Sequence, residues 1–206
     1  NIAIGSYALD ATTTGNHNIA IGHSAGTAIT DGIRNVCVGA YAGDAFDGES
    51  YSVAIGHSAL SGDASSSGSV AVGYQALADQ NTASSNNVAI GYQVAKNLNG
   101  GTDSVYVGYS AGGVGVITGD NNVAVGKGAL LNATSPSNSV FIGSLAGGLG
   151  VTTGASNVCV GYAAGYDLSS GASNTLVGRD AGANLTDNAE NVAIGAYAMD
   201  AANTGE

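Results

Sequence analysis

Asn87-Val88-Ala89-Ile90-Gly91-Tyr92-Gln93-Val94-Ala95 is answered, seventeen residues on, by Ser104-Val105-Tyr106-Val107-Gly108-Tyr109-Ser110-Ala111-Gly112. Both open on a short polar residue, run through an alternating apolar triplet and stop at glycine. The same frame starts at Asn1, Asn18, Asn35, Ser52, Ser69, Asn87, Ser104, Asn122, Ser139, Asn157, Asn174 and Asn191, always 17 or 18 residues apart. Its fifth position is Gly5, Gly22, Gly39, Gly56, Gly73, Gly91, Gly108, Gly126, Gly143, Gly161, Gly178 and Gly195. The fourth is always Val or Ile, the second is Val or Ile except at Thr175, and the eighth is Ala except at Val94.

A fixed period of this length is the mark of a repeat architecture, and it is shorter than helical-hairpin, propeller or leucine-rich units. Second and fourth positions lie on one face of a short strand, and β-branched residues suit a pleated surface. Glycine after the strand lets the chain turn with positive φ or pass close to a neighbour. A second, polar turn follows, as at Asp31-Gly32, Asp47-Gly48, Thr118-Gly119 and Ser170-Gly171. The expected fold is all-β: a parallel β-solenoid, or β-roll, of twelve rungs forming a single domain over residues 1–206. At about 4.8 Å per rung the rod is roughly 55–60 Å long. The frame runs to both ends with no polar cap, so the chain is expected to be a segment of a longer fibre.

The third position alternates with the Val and Ile columns, yet it is never charged. Where the ninth is large (Leu9, Leu60, Leu77, Leu130, Met199), the third is Ala; where the ninth is Gly, the third is larger than Ala in five rungs of six: Cys37, Tyr106, Phe141, Cys159 and Leu176. Well-packed interiors tolerate swaps that conserve volume, so the two columns share one space. With the Val and Ile columns facing the inside of the coil, the third column needs another surface, and a copy of the same chain is the simplest supplier. Cys37, Leu60, Tyr106, Leu130, Phe141, Cys159 and Leu176 are therefore expected to pack between chains of a homo-oligomer.

Composition narrows function. The formal net charge is -11 with only four Lys and Arg, which argues against nucleic-acid partners, and no apolar run approaches the length of a membrane span. There is no nucleophile elbow, His-Glu-x-x-His or Cys-x-x-Cys motif, and nothing that marks a cofactor site. The expectation is no enzyme, no catalytic residue, no metal and no cofactor. His23 and His57 share the sixth column and suggest a metal only if copies combine; the same column holds Lys127 and Arg179, as a solvent-facing position would. Tyr7, Tyr41, Tyr74, Tyr92, Tyr109, Tyr162 and Tyr197 follow the corner glycines and could form an aromatic ladder, either binding sugars or bracing neighbouring rungs. The turn aspartates drift in position, unlike the fixed frame of calcium-binding rolls, and read as turn formers.

The rungs Ser52-Val53-Ala54-Ile55-Gly56 and Asn87-Val88-Ala89-Ile90-Gly91 resemble the head repeats of trimeric autotransporter adhesins. The longer unit, with Ala-Gly or Ala-Leu and then Thr-Thr-Gly, looks like repeats of bacteriophage tail fibres. The resemblance spans the chain and implies a left-handed roll in an intertwined or side-by-side homotrimer, on a virion surface or otherwise extracellular. It implies a rigid spacer and a host-recognition surface for a glycan or protein receptor; the alternative is a bacterial adhesin head or self-assembling filament.

Overall fold

A computed structural model describes residues 1–12, 14–62, 67–79, 84–113 and 115–201. It contains twelve strands of three residues each: β1 (Ile2–Ile4), β2 (Ile19–Ile21), β3 (Val36–Val38), β4 (Val53–Ile55), β5 (Val70–Val72), β6 (Val88–Ile90), β7 (Val105–Val107), β8 (Val123–Val125), β9 (Val140–Ile142), β10 (Val158–Val160), β11 (Thr175–Val177) and β12 (Val192–Ile194). They form one parallel sheet in sequence order, and the described residues contain no helix. The protein is an all-β solenoid in which each turn of chain adds one strand. Register is strict: Ala89 pairs with Tyr106 and Tyr106 with Ala124, so each repeat position becomes a column along the rod.

Hydrogen bonding between rungs continues beyond the strands. The second-position N–H donates to the first-position carbonyl of the next rung, as Val88 N to Ser104 O at 2.9 Å, and the glycine N–H donates back, as Gly91 N to Val72 O at 2.8 Å. Past the corner, Gln93 N reaches Tyr74 O and Ala95 N reaches Ala111 O, both at 2.8 Å. The corner itself explains the invariant glycine. At Gly108, φ is +133°, and an added Cβ would lie 2.6 Å from the carbonyl oxygen of Gly126 one rung on. Both the backbone angle and the stacking distance exclude a side chain. The seventh and ninth positions also carry positive φ, near +50° to +60°, including the non-glycine Gln93, Leu60, Leu77 and Leu130.

The core lies inside the coil of one chain and corrects the sequence expectation. Third-position side chains point inward: Cys37, Tyr106, Phe141, Cys159 and Leu176 are wholly buried, as are Leu60 and Leu130 of the ninth column. These seven residues cannot touch another chain. The volume argument holds, but its shared space is the lumen of a single coil. A Cβ on Gly147 would sit 2.5 Å from Phe141, one on Gly112 2.7 Å from Tyr106, and one on Gly43 2.7 Å from Cys37 Sγ. A twelfth-position column adds Ile29, Phe46, Leu98, Leu168 and Leu185, all buried. It accounts for the one rung that broke the rule: beside Ala20 and Gly26, the space is filled by Ile29, whose Cδ1 would lie 2.9 Å from a Cβ on Gly26.

Candidate functional site

With the third column inside, strand alternation turns the second and fourth columns outward. Twenty-three Val and Ile residues and Thr175 therefore line one open face of the sheet. None of them is fully buried, and within the rod Ile21, Ile55, Ile90 and Ile142 keep 37–41% of their surface exposed. No charged residue interrupts the two columns. Taking about 4.8 Å per rung and a strip about 10 Å wide, the face covers roughly 550–600 Å². That lies at the top of the range for the largest apolar patch on a soluble monomer, 300–600 Å² by rough measure.

Around the corner lies a ladder of rings. Tyr7, His23, Tyr41, His57, Tyr74, Tyr92 and Tyr109 contact one another in sequence, one ring per rung, with centroids 5.2–5.9 Å apart. The lower pairs meet edge to face; Tyr74, Tyr92 and Tyr109 stack within 13° of parallel. Parallel rings with centroids 5.2 Å apart must overlap face to face, so they present edges and hydroxyls to solvent. The faces a sugar would stack on are occupied by neighbouring rings, which favours the bracing role for this part of the ladder. Each such pair adds about 0.5–1.5 kcal/mol beyond area burial. His23 and His57 are separated by Tyr41 within this ladder, and no group of three potential metal ligands occurs among the described residues.

A third column is polar and buried, and it gives the first position of the repeat its role. Each Asn or Ser side chain accepts the first-position N–H of the next rung: Ser104 N to Asn87 Oδ1 at 2.9 Å, Asn122 N to Ser104 Oγ at 2.9 Å, Ser139 N to Asn122 Oδ1 at 3.2 Å. Where the residue is Asn, its amide also donates to the polar turn, as Asn122 Nδ2 to Pro136 O at 2.7 Å and Asn157 Nδ2 to Gly171 O at 2.8 Å. The signal was a short acceptor side chain in all twelve rungs. Two of the turn aspartates also bond between rungs: Asp120 Oδ1 accepts Thr102 N at 2.8 Å, and Asp103 Oδ1 accepts Asn86 Nδ2 at 3.1 Å.

The cysteines are unpaired and buried, and desolvation pushes both thiols up to about 12, with Asp44 adding to the shift at Cys37. They are packing residues rather than nucleophiles, since the thiolate is the reactive form. Against known protein families, curated proteins and solved structures, the chain has no match.

Proposed function

We propose that this chain is a segment of an extended, multi-chain extracellular fibre of the bacteriophage tail-fibre type, serving as a rigid spacer and a host-recognition surface. The observation that carries the reading is the unbroken Val and Ile face. A sheet face with no charge along twelve rungs is a poor surface for water and a good one for a partner of equal pitch. A second copy of the chain has that pitch, and its own Val and Ile face is free of the acidic groups that would make two copies repel.

Two such faces bury roughly 1,100–1,200 Å² together, at the lower bound for a specific interface. At about 25 cal/mol per Å² the apolar burial per chain is worth roughly 14–15 kcal/mol before the costs of association. Each further rung adds to it, so a longer rod binds more firmly. Three copies around a common axis, as the resemblance implies, would close the faces into a shared core and leave the ring ladder outside.

The test is sedimentation equilibrium of the chain beside a variant carrying Ile55→Asp, Ile90→Asp and Val125→Asp. The native chain should sediment as a trimer, and the variant as a monomer with the same circular dichroism. A native chain that is monomeric with its coil intact would refute the reading; indefinite head-to-tail growth would move it to a self-assembling filament.

A further inference from the structure

The ring ladder stops after Tyr109, and beyond it the smooth wall gives way to a recess. The sixth position becomes Lys127 and then Ser144, and rings resume at Tyr162. At this break lies a pocket of about 270 Å³ lined by Leu145, Tyr162, Ala163, Tyr166, Asp180 and Ala183. Its origin is visible in the columns. Ala163 stands in the seventh column between Leu145 and Asp180, and Ala183 follows Tyr166 in the tenth. Two small residues beside two tyrosines and a leucine leave a hollow with ring walls.

Its electrostatics select the ligand. Arg179 Nε donates to Asp180 Oδ2 at 3.0 Å, and the guanidinium lies between Tyr162 and Tyr197, 5.8 and 5.5 Å from their centroids. A cationic ligand finds the carboxylate already paired and one ring already covered by a cation. An anionic ligand finds the one nearby guanidinium already paired, on a chain of net charge -11. What remains suited is a neutral ligand with an apolar face for a ring and hydroxyls for Asp180 and the tyrosine hydroxyls.

We propose that this recess binds one ring of a neutral carbohydrate. The sugar's C–H face lies against a tyrosine wall, and its hydroxyls donate to the Asp180 carboxylate, which Arg179 holds in place. The pocket size suits a single sugar ring, just below the roughly 300–1,000 Å³ of sites for larger ligands. At Tyr74, Tyr92 and Tyr109 of the ladder, by contrast, stacked neighbours cover one another's faces. The biological sense of the site rests on the host-recognition role proposed for the fibre; its existence requires only the single coil.

Saturation-transfer NMR on the full chain tests it, with methyl glucoside, methyl galactoside and N-acetylglucosamine as neutral probes, glucuronate as the anionic probe and agmatine as the cationic one. At least one neutral sugar should bind at millimolar concentration, more tightly than either charged probe. Ala183→Leu fills the hollow while keeping both tyrosines and the ion pair in the chain, and leucine already stands in that column at Leu131. It should weaken binding by at least about tenfold, as should Tyr162→Ala, while Tyr92→Ala in the unbroken ladder leaves it unchanged. Absence of any neutral-sugar signal, full binding by Ala183→Leu, or preference for a charged probe overturns the proposal. Sedimentation of the same samples separates the two readings: a trimer that binds no sugar removes the subsite, and a monomer that binds sugar removes the fibre assembly.

Discussion

Rung nine offers the sharpest test of where the core lies. Phe141 is wholly buried, and Gly147 faces it so closely that a Cβ would fall 2.5 Å from the ring. Phe141→Ala should leave a cavity and cost about 3–5 kcal/mol. Gly147→Leu alone should overpack the rung by about 1–3 kcal/mol, with a further ~1–2 kcal/mol for a side chain at φ +58°. The double variant rebuilds the pair already present as Ala54 with Leu60, Ala71 with Leu77 and Ala124 with Leu130, whose leucines hold φ of 49–52°. It should retain only the ~1–2 kcal/mol backbone term, so the coupling should exceed about 2 kcal/mol, against the ~0.3–0.5 kcal/mol scatter of independent sites. Urea unfolding supplies the totals. Hydrogen exchange at the β9 amides supplies the local stability, because a rod of repeats need not unfold in one step. Single-variant costs that simply add would show that the two positions do not share a space; costs that appear in assembly mass with the chain's own stability unchanged would return the core to an inter-chain interface.

Gly108→Ala should cost more than about 3 kcal/mol, combining ~1–3 kcal/mol of backbone strain with a collision against the next rung, read as lost exchange protection on β7 and β8. Asn122→Ala should cost about 3 kcal/mol or more, because it strands Ser139 N and the Pro136 and Gly119 carbonyls in a buried site, whereas Asn122→Ser, the residue of the neighbouring rungs, should cost visibly less in the same melt. Cys37 and Cys159 should resist alkylation in the folded chain and react fully in denaturant. Because burial raises both thiols from 9.0 to about 12, the unfolded chain sheds these protons first. Stability should therefore fall as pH rises through that window, by up to about 1.36 kcal/mol per unit per thiol, and the slope should shrink in Cys37→Ala/Cys159→Ala.

The repeat, its register and the parallel stacking were readable because a seventeen-residue period with β-branched alternation leaves few alternatives. The pairing of third and ninth positions was readable as well, since volume compensation leaves a trace in any sequence that packs. The tenth, sixth and seventh columns were harder. Their residues vary from rung to rung, and only the coil brings Leu145, Tyr162, Tyr166 and Asp180 to one hollow. The first-position ladder was present as Asn or Ser in every rung, but its purpose depends on a backbone N–H that has no carbonyl opposite it, which no spacing reveals.

The reversal of inside and outside has a physical cause that also bears on function. A rung of seventeen residues encloses a narrow lumen, filled by one or two larger side chains, as Leu60 alone in one rung and Leu176 with Leu185 in another, with alanine or glycine beside them. Bulky β-branched residues in two columns of every rung would overfill it, so the small third column turns in and the Val and Ile columns turn out. The rule that apolar residues go inside presumes an interior with room for them. In a coil this narrow, the larger apolar residues form the wall. That wall leaves the single chain with its core filled and an open apolar face, the face on which the proposed bundling rests.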